Sequence, residues 1–259
     1  MGAGRLARIW AVAANTFRET VRERVLYNLV FFALIMTLCG LLMGQLSIRQ
    51  DEKILKDIGL AAMEMFGTLI AIFIGVGLVA KEIERRSLHA LLAKPLSRDE
   101  FFLGKFTGLG FTLLVNVVLM SAGLALTLLA TGRRADPQLL FAIYPIYLGL
   151  LLVVALAVLF STLTSTVLAA VFTVGMVIAG RYSDVIRNMQ EVRPDAPSWL
   201  LSFLYYALPN FRSFDFKDRV THGDPVSWAA MGWVTAYAAA YIGIVLIVGL
   251  FAFRSRELT

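Results

Sequence analysis

Six long apolar runs, near 25–46, 58–80, 106–130, 139–160, 166–181 and 228–253, alternate with short polar stretches over most of the chain. A helix that crosses a hydrocarbon core of about 30 Å needs about 20 mostly apolar residues, so the pattern predicts six membrane-spanning helices. Stretches such as Leu148 to Phe160 are continuously apolar. A closed barrel shows segments of about ten residues that alternate apolar with polar, and is excluded. Before the first run, Leu6, Ile9, Ala13, Phe17 and Val21 recur at helical spacing among arginines and Trp10. That is the pattern of a helix lying in the membrane interface, an elbow over residues 1–24 feeding the first span. A plain basic anchor that sets topology fits it equally.

Composition agrees with the pattern. Of the 259 residues, 59% are hydrophobic and 16% charged, and the mean hydropathy is +0.75, which leaves too little polar surface for a soluble globule. The expectation is an all-α, polytopic membrane protein forming one transmembrane domain over 1–259, placed in the lipid bilayer. The first run is too long, and too far from the start, for a cleaved secretory signal. Cys39 is the single cysteine and the histidines are His89 and His222, so neither an intrachain disulfide nor a zinc-type ligand cluster is expected. Nothing in the chain points to nucleic acid.

Six spans put both termini on one side. With the termini inside, the inner segments carry 13 basic residues and the outer ones 11, a slight bias by the positive-inside count. Arg5, Arg8, Arg18, Arg22 and Arg24 before the first span strengthen it, and both termini are read as cytoplasmic. Within the spans Glu64 is the clear ionisable exception, near the outer end of the second. Such a group costs about 2.5–3.5 kcal/mol on insertion scales and usually serves proton or ion movement; one alone argues against coupled transport. Thr112, Asn116 and Ser121 suit either a polar path or hydrogen bonding between helices. Small residues at intervals of four, Gly40 and Gly44, then Ser165, Ala169 and Thr173, suit close packing within the chain or against a second subunit.

The outer segment 182–227 crowds Trp199, Phe203, Tyr205, Tyr206, Phe211, Phe214 and Phe216 around Pro209. An aromatic stretch too short to span and broken by proline reads as a re-entrant hairpin before the last span. Tyr205, Tyr206, Pro209 and Phe211 are candidates for an outer gate; an aromatic belt is the alternative.

Between the second and third spans, residues 81–105 are dense in charge. Read at 3.6 residues per turn, Glu82, Arg85, Arg86 and His89 share one face, and Leu88, Leu91 and Leu92 another. Pro95 ends this short amphipathic helix. Ser97-Arg98-Asp99-Glu100 then matches a capping box that opens a second helix. A solvated connector with snorkelling basic residues fits the same pattern.

At these residues the chain resembles the six-span export class of ATP-binding cassette (ABC) transporter permeases. The run KEIERRSLHALLAKPLSRDEFFLGK is similar to a signature in which an acidic residue leads a basic, leucine-containing helix, followed by a proline, a Ser-Arg pair and a closing Gly-Lys. These fall on Glu82, Leu91, Leu92, Pro95, Ser97, Arg98, Gly104 and Lys105. Ser87 departs from relatives that carry Gly-Thr or Thr nearby. The resemblance covers essentially the whole chain. It implies a cytoplasmic coupling helix in 81–105, docking on a separate ATPase through Glu82, Arg85, Arg86, His89, Leu91, Leu92, Pro95 and Arg98. It also implies two ATPase copies, a second permease copy as a homodimer or close relative, export, and a bacterial cytoplasmic (inner) membrane. No cofactor is expected in this chain, with ATP and magnesium belonging to the ATPase partner. Gly104-Lys105 is no phosphate loop, since Phe106 replaces the required Ser or Thr and Asp99 the earlier glycine. The chain is therefore not expected to be an enzyme. A stand-alone secondary transporter and a membrane scaffold are the alternatives; an intramembrane enzyme lacks any recognisable catalytic set.

Overall fold

The computed structural model describes residues 2–20, 31, 32, 35, 38, 51–84, 97–133, 136–183, 197 and 207–255, with side chains for all of these except 2–4, 51, 78–84, 98 and 255. Seven α-helices appear among them: α1 Gly2–Thr20, α2 Asp51–Glu84, α3 Arg98–Ala130, α4 Leu140–Leu163, α5 Thr166–Arg181, α6 Lys217–His222 and α7 Trp228–Ser255. Short 3-10 turns at Pro137–Leu139 and Phe211–Phe214 lead into α4 and α6.

Among the described residues four helices are long and apolar enough to cross a membrane: Glu52–Gly77, Asp99–Ala130, Pro137–Leu163 and Trp228–Arg254. They match the second, third, fourth and sixth runs. The fifth run forms α5, whose 16 residues reach about 24 Å, short of the about 30 Å core. The first run lies mostly outside the described residues. Its Phe31, Phe32, Ile35 and Leu38 are helical, and Phe32, 2% exposed, packs beside Gly123 of α3. α2 extends well before residue 58, taking in the charged stretch from Asp51 that the apolar pattern alone treats as connector; Lys56 and Glu52 pair along it at 2.7 Å, one turn apart.

α4 forms the centre. Its mean composition is apolar on every side, as a helix buried all round must be, and Leu152, Val154 and Ala157 are fully buried. α2 packs along it with glycines at the contact: a Cβ on Gly67 would lie 2.5 Å from Leu150, and one on Gly75 2.6 Å from Ala157. Buried Ser161 of α4 donates to the Val76 carbonyl oxygen at 3.0 Å, tying the helices where they diverge toward Glu84. α7 lines the outside of the group and presents Trp233, Ile244, Ile247 and Phe251 outward. α5 returns beside α4 and α2 with Ala169 and Thr173 fully buried. The small-residue stripe therefore packs inside the chain at these two positions; Ser165 is exposed, and Gly40 and Gly44 lie outside the described residues.

Candidate functional site

Two polar assemblies interrupt the apolar bundle, one at each end. The first is built on the start of α3. Ser97 has extended backbone (φ −73°, ψ 150°), and its hydroxyl accepts from the Glu100 N–H at 3.3 Å while the Glu100 carboxylate accepts from the Ser97 N–H at 3.2 Å. The capping box expected from sequence is thus present. The carboxylate also accepts from Arg5 Nε at 3.2 Å and from Arg8 Nε and Nη2 at 3.0 and 2.8 Å, although it is itself only 3% exposed. Donating to the Glu100 carboxylate, and lying beside its charge, holds the Arg8 guanidinium pKa above its ordinary value against an opposing desolvation. One residue earlier, Asp99 receives both Nε and Nη2 of Arg254, the first at 2.9 Å. This fork-to-fork pairing fixes orientation as well as proximity.

The first two turns of α3 therefore hold the N-terminal helix on one side and the end of the last helix on the other. Sequence explains the closeness. Gly104 and Gly108 lie one turn apart against α1, where a Cβ would come within 2.7 Å of Val12 and within 2.6 Å of the Ala13 carbonyl oxygen. Trp10, 60% exposed, meets Phe111 of α3 edge-on with centroids 5.4 Å apart.

Of the coupling residues expected from sequence, Glu82 lies in the last turn of α2 and Arg98 opens α3, while Arg85, Arg86, His89, Leu91, Leu92 and Pro95 lie outside the described residues. The segment is bounded at both ends by helices that the structure does describe. Sequence reasoning found the Ser97–Glu100 cap and missed that Arg5 and Arg8 converge on it. The available signal was their spacing of three, which puts both on one helix face.

The second assembly lies at the opposite end. Glu64 of α2 pairs through Oε1 with Arg181, the last residue of α5, and through Oε2 with Lys217 Nζ of α6 at 2.5 Å. Lys217 also lies 3.8 Å from Asp215. The isolated charge noted from sequence is thus a three-residue cluster, as an ion in an apolar span requires. Below it runs a cleft of about 360 Å³ between α2 and α5, walled by Met65, Leu69, Ile72, Val174, Val177 and Ile178.

The aromatic segment closes over this end. Pro209 and Phe211 are buried, and a Cβ on Gly180 would sit 2.2 Å from the Pro209 carbonyl oxygen. Tyr237 accepts the Asn210 N–H at 2.7 Å, and Tyr241 donates to the Ala207 carbonyl at 2.7 Å. Phe211 stacks toward Phe214, and Phe214 toward Tyr237. Pro209 and Phe211 thus belong to a packed cap; Tyr205 and Tyr206 lie outside the described residues. Thr112 and Ser121 donate back to carbonyls four residues earlier in α3, and Asn116 between them is buried.

A family model described as ABC-2 family transporter protein matches residues 10–258, all but the first nine residues and the last. No curated protein matches the chain.

Proposed function

The chain belongs to the ABC-2 family of transporter proteins and is a membrane permease of an ABC transporter, and on that premise we propose that it exports its cargo using ATP hydrolysed by two copies of a separate ATPase subunit. A second permease copy, or a close relative, completes the pore in this reading. The ATPase docks on 81–105, with Glu82, Arg85, Arg86 and His89 on the polar face of the coupling helix, and both termini face the same compartment as the ATPase.

The observation that supports this reading is the junction at Ser97–Glu100. Residues 85–96 connect two long helices, and the helix that leaves them is bonded at its first turn to α1 and to the end of α7. A push on that connector moves α3 together with two further helices, because ion pairs and a glycine-lined contact hold them as a unit. Motion of this kind is what a permease needs to convert closure of an ATPase into movement of its spans. A stand-alone transporter has no use for a loaded connector.

The test is gentle purification of the tagged full chain from its native membrane with identification of stoichiometric partners. An ATPase at one copy per permease, whose hydrolysis rises when the permease is present, is the expected result. An active homo-oligomer without an ATPase overturns the reading.

A further inference from the structure

The Glu64 cluster and the cleft beneath it form a single amphipathic feature. The walls contributed by Met65, Leu69 and Ile72 from α2, and by Val174 and Ile178 from α5, are apolar, and the charged groups all sit at one end. The volume of about 360 Å³ lies in the range of about 300–1,000 Å³ typical of ligand clefts.

At that end two cations, Arg181 and Lys217, share the Glu64 carboxylate. Lys217 is also paired with Asp215 at 3.8 Å, so it is the more fully engaged of the two cations. Arg181 gives Glu64 one Nη and is 41% exposed, so among the described residues most of its five N–H donors remain for another acceptor. A planar guanidinium presenting spare donors beside an ammonium suits phosphate or carboxylate. A zwitterionic headgroup gains less from such a pair, because its own cation offsets its phosphate.

We propose that this cleft binds an anionic, single-chain amphiphile. Its phosphate or carboxylate head lies on Arg181 and Lys217, and its chain runs between α2 and α5 along Leu69, Ile72, Val174 and Ile178. Glu64 holds the two cations in place when the cleft is empty and gives up part of its share when the head arrives. The cleft is the holding site for cargo in the transport reading above and rests on that reading in this one respect; binding itself is independent of any ATPase.

The test uses the full chain in neutral detergent, titrated with lysophosphatidylglycerol and with lysophosphatidylcholine of equal chain length, with bound lipid counted by native mass spectrometry. The wild-type chain is expected to prefer the anionic lipid by about tenfold, the scale of one charge-assisted hydrogen bond. Glu64→Gln, which frees both cations, keeps or increases that preference. The triple variant Glu64→Gln/Arg181→Gln/Lys217→Gln removes both cations and their shared carboxylate, leaves only the 35% exposed Asp215 charged there, and loses the preference. Leu69→Trp fills the cleft and weakens both lipids alike. An equal affinity of the wild-type chain for the two lipids, a preference surviving in the triple variant, or its loss in Glu64→Gln alone each overturns the proposal. Because these readouts need no partner, failure here leaves the ATPase co-purification test intact, and failure there leaves this one.

Discussion

Arg8 and Glu100, 92 residues apart, are joined by two hydrogen bonds of 3.0 and 2.8 Å. The same carboxylate closes the capping box on Ser97. One side chain therefore sets both where α3 begins and where α1 lies. A displacement of residues 85–96 cannot reach α3 without loading α1.

Replacing Glu100 with Gln separates these duties. The amide oxygen still accepts from the Ser97 N–H, so the start of α3 is preserved, but Arg5 and Arg8 lose their charged partner. The expected outcome is a folded permease whose N-terminal helix is cut several-fold faster by trypsin and which stimulates ATP hydrolysis less. Glu100→Ala, which also removes the cap acceptor, lowers the melting temperature further. Wild-type protection of α1 in Glu100→Gln would show that the glycine contact alone holds the helix.

That contact makes its own prediction. A Cβ on Gly108 meets the Ala13 carbonyl at 2.6 Å and Thr16 Cβ at 2.8 Å, both on backbone or near it, so neither neighbour can swing away. Gly108→Ala is expected to destabilise by about 1–3 kcal/mol, the usual range for overpacking. Gly175→Ala, with nothing within 4 Å, is the neutral control. Thermal unfolding of both variants in the same detergent checks the difference.

These examples show which parts of the molecule a reader of the sequence can reach. The Ser97–Glu100 cap spans four residues and is written locally. So are the long spans, because apolar length alone implies them. The partners of Glu64 lie 117 and 153 residues away, and no periodicity points to them. The sequence flags the lone charge; only the fold brings Arg181 and Lys217 to it. The stripe at Ala169 and Thr173 reads equally as a subunit interface until burial settles it. α2 outruns its apolar run because Asp51 to Asp57 continues the helix in polar residues, which hydropathy does not register.

Ser161 tests the contact between α2 and α4. Its hydroxyl is buried and donates to the Val76 carbonyl oxygen across the interface. Ser161→Ala is expected to cost about 0.6 kcal/mol, the average for hydrogen bonds between membrane helices. Ser161→Val, nearer in volume to an added methyl pair, costs more through overpacking. An unchanged melting temperature in Ser161→Ala would assign the α2–α4 contact to glycine packing alone.

Two features of the sequence stop a helix ahead of α3, and they decide how the proposed coupling segment is to be joined to it. Pro95 keeps its predecessor out of the α region, while Ser97 stops the helix from the other side through its extended backbone and its bond to Glu100. Pro95→Ala therefore leaves one stop in place and is expected to weaken coupling only in part. Pro95→Ala/Ser97→Ala removes both, at a capping cost of about 1 kcal/mol, and lets residues 81–105 run on as one helix. In the proposed function such a continuous helix carries ATPase closure along a single axis into α3, without a stop between them. The ratio of ATP hydrolysed to cargo moved is expected to rise in the single variant and further in the double. The paired reversal Glu82→Lys/Arg86→Glu acts earlier, at docking, and lowers ATPase stimulation while leaving membrane insertion intact. If the double variant moves as much cargo per ATP as the wild-type chain, the stop at Pro95 and Ser97 plays no part in coupling.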